Sequence, residues 1–141
     1  MFLVIDTNVL FAFFRKGSKV EKLMRDLRRR GLVLLSPQFM FSELEKIKPE
    51  ISKYSGITVS ELDKMFKLLK LVVKEVFEFE YEQFMDEAKK ISPDAKDTTL
   101  FAVFLKFDKC HIWSREPRLK RQKAVKVLDD KGVEELLNKL G

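Results

Sequence analysis

The sequence is short of the residues that staple or chelate. It has one cysteine, Cys110, and one histidine, His111, in 141 residues. A single thiol closes no intrachain disulfide, which excludes a disulfide-held scaffold and fits a reducing, cytoplasmic setting. Without a cluster of His and Cys, no zinc site of the finger or metalloprotease kind is available. Cys110 reads as a small buried hydrophobe beside a strand, and His111 as part of that strand. No apolar run is long enough to cross a bilayer, so no membrane partner is expected. Met1-Phe2 leads straight into an apolar segment, with neither a basic leader nor a small-residue cleavage site, so no signal peptide is expected. Repeats, low-complexity linkers and shifts of composition are missing too. Residues 1–141 therefore read as a single domain.

What is present is a Phe-rich core and much charge. Phe occurs 13 times against one Trp and two Tyr, and 45% of residues are hydrophobic while 35% are charged. The formal net charge is +6 and the sequence pI is near 9.4. A basic balance allows a polyanionic partner, of which nucleic acid is the commonest. It carries weight only if the acidic residues gather in one place.

The first eight residues organise the rest. Phe2-Leu3-Val4-Ile5 is an unbroken apolar run that ends in Asp6-Thr7-Asn8. Such a run reads as a buried strand of a parallel sheet. It puts Asp6 at the carboxyl edge, where ligands bind in open α/β sheets. Val9 to Phe14 begins a helix or the turn into it. Lys19 to Arg30 is an amphipathic helix, with Gly31 as its C-cap and Arg28 to Arg30 as a helix-end charge cluster. Leu32 to Leu35 is a second strand, and Ser36-Pro37 reads as N-cap and first helical residue. Gln38 to Lys48 is a helix limited by Pro49. Thr58 to Val73 is another, with Thr58 and Glu61 as a capping box. Leu62, Phe66 and Leu69 on it read as core in preference to a dimer seam. A strand is expected over Val76 to Phe79 and a helix over Tyr81 to Ile91. The apolar Asp97 to Phe107 stretch reads as helix, His111 to Trp113 as strand, Ala124 to Leu128 as the last strand, and Val133 to Leu140 as a terminal helix. This alternation predicts an α/β fold built from right-handed crossovers.

Two carboxylates interrupt the helical pattern. Phe39, Met40, Leu44 and Ile47 form one arc of the helix over residues 38–48, and Glu43 lies inside it. That spacing points Glu43 inward, where an ordinary glutamate does not go. Asp97 shares the face of Leu100, Phe101, Phe104 and Leu105, with Asp94 about one turn earlier. A crossover helix starts at the carboxyl edge, so Asp97 falls at the same edge as Asp6. Glu116, leaving the strand at Trp113, falls there as well. Taken singly, each has an ordinary alternative. Asp6 and Asp94 could cap helices, Glu116 could sit in a surface loop, and Glu43 could pair with a buried cation. Together they form a set of like charges that cations must neutralise. Mg2+ or Mn2+, hard ions that prefer oxygen ligands, suit it. Such a site activates water and neutralises charge on a phosphodiester.

At this point the sequence resembles the PIN-domain nucleases. Asp6-Thr7-Asn8 after an N-terminal strand is similar to that family's opening motif, and Glu43 in Phe41-Ser42-Glu43-Leu44 to its second acid. Asp94-Ala95-Lys96-Asp97, followed by an apolar helix, resembles the third motif, with Asp97 the main ligand and Asp94 the accessory acid. Ile112-Trp113-Ser114-Arg115-Glu116 resembles the fourth, with Glu in place of the usual Asp and Pro117 following. The resemblance implies a three-layer α/β/α fold with a central parallel sheet of about five strands. It also implies metal-dependent endonuclease activity, mostly on RNA. Many small members are VapC-type toxins, held by an antitoxin protein and commonly homodimeric.

The resulting expectation assigns metal binding to Asp6, Glu43, Asp94, Asp97 and Glu116. Catalysis rests with Asp6, Glu43, Asp97 and Glu116, and Asn8 and Ser114 orient the ligands by hydrogen bonds. Arg115, Arg118, Lys120, Arg121 and Lys123 are the candidates for gripping the nucleic-acid backbone, with a solvated loop face as the alternative. A second class of function is a PIN-like module that binds RNA or protein without cutting, which the Glu116-Pro117 departure favours. A third, a phosphoryl-accepting signalling domain, wants a phosphorylatable Asp after a middle strand and a late strand followed by Lys; neither is evident.

Overall fold

The structure is a computed structural model and describes residues 1–15, 17–107 and 110–140. Five strands form one sheet: β1 (Phe2–Ile5), β2 (Val33–Pro37), β3 (Val73–Val76), β4 (Cys110–Trp113) and β5 (Val127–Leu128). Their order is β3-β2-β1-β4-β5, and every pairing is parallel. Ten α-helices are described: α1 (Thr7–Phe13), α2 (Lys19–Arg29), α3 (Gln38–Lys46), α4 (Lys48–Ser55), α5 (Val59–Val72), α6 (Glu78–Tyr81), α7 (Met85–Ile91), α8 (Thr98–Lys106), α9 (Pro117–Arg121) and α10 (Asp130–Leu140).

The strand order fixes the layers. From β1 the chain moves outward to β2 and β3, so right-handed crossovers lay α1 to α5 on one face. From β3 it returns across the sheet to β4, which lays α6, α7 and α8 on the other. The central strands are accordingly buried on both sides: Leu3, Val4, Ile5, Leu34, Leu35, Ile112 and Trp113 are fully enclosed. The two directions of travel part between β1 and β4, the kind of switch point at which open α/β sheets bind their ligands. Ile5 pairs with Trp113 there, and the Asp6 amide donates to the Trp113 carbonyl at 3.0 Å.

Several elements differ from expectation, each for a local reason. The second strand continues through Ser36-Pro37. The Ser36 hydroxyl, instead of capping a helix, is buried and donates to the Ile5 carbonyl at 2.8 Å. Pro37 pairs with Val76 at the strand's end and stands at the N-cap position without a side-chain cap. The helix from Gln38 ends at Lys46, because Pro49 opens a further helix, α4, from within its first turn. The third strand is Val73–Val76, earlier than the expected 76–79, because α5 runs into it without a loop. Phe77 and Phe79, expected in that strand, lie beyond it on the surface, their rings stacked 6.2 Å apart. The expected helix over 81–91 is divided into α6, a 3-10 turn (Glu82–Phe84) and α7. Gly31 has φ +88°, as a left-handed helix end requires, and Thr58 accepts from the Glu61 amide. Cys110 is buried, and desolvation pushes its thiol up to about 12, which keeps it protonated and inert. Among the described residues, no helix is long and apolar enough to cross a membrane.

Candidate active site

A cleft of about 690 Å³ opens at the carboxyl edge beside the β1–β4 switch point. Asp6, Glu43, Asp97 and Glu116 all line it, with Asn8, Lys96, Thr99 and Arg118. Four of the five acids read from the sequence are thus brought to one space. Its opposite wall is apolar, made by Phe11, Phe39, Met40, Leu44 and Ile47.

Asp6 is held from both sides. As N-cap of α1 it accepts from the Thr7 amide through Oδ1 at 2.7 Å, and through Oδ2 from the Ser114 hydroxyl at 2.7 Å. The capping alternative and the site reading therefore describe the same carboxylate. Ser114 is buried at the end of β4 and also accepts from the Glu116 amide at 3.0 Å. The Asn8 side-chain amide lies 3.5 Å from Ser114 Oγ, and Asn8 Oδ1 accepts from the Arg115 amide at 3.2 Å. Asn8 and Ser114 thus join the end of β1 to the segment after β4, and Ser114 fixes the rotation of Asp6. Burial raises the Asp6 pKa above the ordinary carboxylate range. The Ser114 and Thr7 hydrogen bonds oppose this, and the charges of Asp97 and Glu116 reinforce it.

Asp97 ends a 3-10 turn (Ala95–Asp97) that leads into α8 and is itself buried. Asp94 is exposed and caps that turn, accepting from the Lys96 amide at 3.2 Å. Glu116 caps α9, accepting from the Arg118 amide at 3.3 Å. Glu43 requires a correction. It faces the cleft but is exposed, because the apolar arc of α3 turns Phe39, Met40 and Leu44 toward the cleft wall and leaves Glu43 on the open rim.

The basic run is largely occupied with acids. Arg115 grips Asp130 with Nη2 at 2.8 Å and Nε at 3.2 Å. Lys120 pairs with Asp129 at 2.6 Å, and Arg118 with Asp97 at 2.9 Å. Arg121 and Lys123 are exposed. The inward approach of Arg118 was missed in the sequence. The signal for it was present: Glu116-Pro117 is an N-cap followed by proline in the first helical position, which starts a short helix and turns residue 118 back.

The donor chemistry fits a hard divalent ion: every candidate ligand is a carboxylate, and at Asp6 burial, reinforced by the charges of Asp97 and Glu116, already resists ionisation. Among the described residues, no three His, Cys, Asp or Glu side chains are gathered closely enough to hold a metal as they stand. The cation that the acids meet is the Arg118 guanidinium.

Fold and site together define an α/β domain with an acidic cleft at the switch point of a five-stranded parallel sheet. A family model described as a PIN domain matches residues 4–125, and the chain belongs to the PIN-domain family. The fold is also similar to a chain in the crystal structure of VapBC2 from Rickettsia felis bound to a DNA fragment from their promoter. The TM-score is 0.60 at 11% identity, over 92% of this chain and 98% of that one. Among curated proteins none matches the chain by sequence.

Proposed function

We propose that this protein is a metal-dependent endoribonuclease of the PIN type, acting on RNA at the acidic cleft. The observation that supports this most directly is the gathering of Asp6, Glu43, Asp97 and Glu116 on one cleft at the switch point. Asp6 and Glu116 also cap helices and Asp97 pairs with Arg118, but capping does not require four like charges on one cleft, an arrangement that costs stability unless cations offset it. Asp6 and Asp97, with Asp94 as accessory, are the residues that would hold Mg2+ or Mn2+. When bound, such an ion polarises the phosphoryl group and assists the activation of water.

The chain's own residues supply position and charge. Ser114 and Thr7 fix both oxygens of Asp6, so that carboxylate meets a ligand in one orientation. Glu43, on the open rim, would orient water at the cleft mouth. Glu116 contributes negative charge from the top of β4. Arg121, the last residue of α9, and Lys123, just beyond it, are exposed and are the cations of this run left to meet phosphates. The apolar wall of Phe11, Phe39 and Ile47 offers bases a dry surface beside the acids.

A VapC-type toxin role, with an antitoxin protein as inhibitor and a homodimer as the assembled form, is the cellular setting that the family resemblance supports. The alternative, a PIN-like module that binds RNA or protein without cutting, draws on Glu116, whose carboxylate is engaged in capping α9. Incubation of purified protein with labelled single-stranded RNA separates the two. The nuclease reading expects fragments with Mn2+ or Mg2+ and none with EDTA. RNA bound but intact under every condition supports the module instead.

A further inference from the structure

Arg118 enters the cleft from α9, the short helix that Glu116 caps. Its Nη1 donates to Asp97 Oδ2 at 2.9 Å and lies 3.6 Å from Asp94 Oδ2. Its Nη2 is buried and has no hydrogen-bond acceptor among the described residues. The pair is well shielded: the side chain of Asp97 is 10% exposed and that of Arg118 29%. A guanidinium keeps its charge at every attainable pH, so this cation cannot be neutralised and must be moved. The oxygens it holds belong to the same two aspartates that the nuclease reading assigns to the divalent ion.

We infer that Arg118 is a positioning residue that serves as the site's own counter-cation. It holds Asp97 and Asp94 in the metal-free protein and yields them to the divalent ion, so metal is taken up by exchange of one cation for another. This inference rests on the proposed role of Asp97 and Asp94. Three consequences follow. Arg118 lowers the apparent metal affinity, because each binding event must break a charge-assisted, partly buried pair. It stabilises the metal-free fold, because it neutralises a buried aspartate that would otherwise lack a counter-charge. Its guanidinium, once released, stands at the rim of the cleft, next to the exposed cations of α9.

The test uses the intact protein with Mn2+ alone, beside a separate assay of wild-type cleavage on labelled single-stranded RNA. Binding is followed by the spectroscopic signal of free Mn2+, and thermal unfolding is recorded in EDTA and in saturating Mn2+. For Arg118→Met, the inference expects Mn2+ to bind about tenfold more tightly, the scale of one charged hydrogen bond. It also expects a lower melting midpoint in EDTA, with the deficit shrinking in Mn2+. Arg118→Lys keeps the charge but loses the planar fork, and should fall between Met and wild type; it decides the matter if the Met variant does not fold. Unchanged or weaker Mn2+ binding by folded variants overturns the exchange. If the wild type binds Mn2+ and cuts RNA while the variants bind Mn2+ equally well, only this inference fails. If the wild type neither binds Mn2+ nor cuts RNA, the nuclease reading fails with it.

Discussion

Asp6 is where strand end, helix cap and candidate ligand coincide. Because its folded pKa is raised above the ordinary value, its ionised form opposes folding. The stability it permits is fully present below the unfolded pKa, about 3.9, and is lost as pH rises through the folded one. Asp6→Asn should therefore melt higher than wild type at neutral pH in EDTA, and the gap should close at pH 3; equal midpoints at both pH values would refute this. The same shift makes metal and proton compete for one carboxylate, so Mn2+ affinity should fall as the solution is acidified through the raised pKa. Ser114→Ala removes the hydroxyl that fixes Asp6. It should lower metal affinity or cleavage by about 10 to 100-fold while the circular dichroism spectrum stays native. At this scale the sequence was informative where a side chain's place follows from a strand end or a helix start, as for Asp6 and Asp97. It misled at Glu43, whose helical phase points to the right wall but says nothing of how far that wall is open to solvent.

At the scale of elements, three prolines show how local context decides meaning. Pro49 reads as a helix stop but sits in the first turn of α4, where its missing amide costs nothing. Pro37 reads as a helix start but closes β2. Pro117, a departure from the family's fourth motif, starts α9 and so directs Arg118 at Asp97. Residue-level propensity identifies proline as a boundary without saying which element it bounds. The β2 strand extends two residues beyond its apolar run because the Ser36 hydroxyl satisfies the Ile5 carbonyl of its neighbour, a tertiary contact that periodicity cannot register. Ser36→Ala should cost about 1 to 2 kcal/mol in urea unfolding, the loss of one buried hydrogen bond. Gly31 was legible, since a glycine after a basic last turn is a helix-end signal. A methyl there would meet nothing within 4 Å, so Gly31→Ala should cost only the left-handed backbone penalty, about 1 to 2 kcal/mol.

At the scale of the molecule, alternating apolar runs and helical stretches carried the parallel sheet, and the resemblance carried the number of strands. The strand order β3-β2-β1-β4-β5 explains why the acids face one cleft. Asp6 and Glu116 leave the adjacent strands β1 and β4, Glu43 follows β2 on one face, and Asp97 opens α8 on the other. What the sequence left hidden was the internal pairing of its charge. Twenty-eight basic residues against 22 acidic ones suggest a broad cationic surface, yet Arg115, Arg118 and Lys120 are spent on Asp130, Asp97 and Asp129. RNA binding should weaken with added salt, and Arg121→Ala should make that slope shallower by about one phosphate contact. The most direct test of the central claim compares cleavage of a labelled single-stranded RNA by wild type and Asp6→Asn, both shown to be folded, in Mn2+ and in EDTA. The account predicts fragments only from wild type in Mn2+. Equal cutting by Asp6→Asn, or cutting that persists in EDTA, would contradict it.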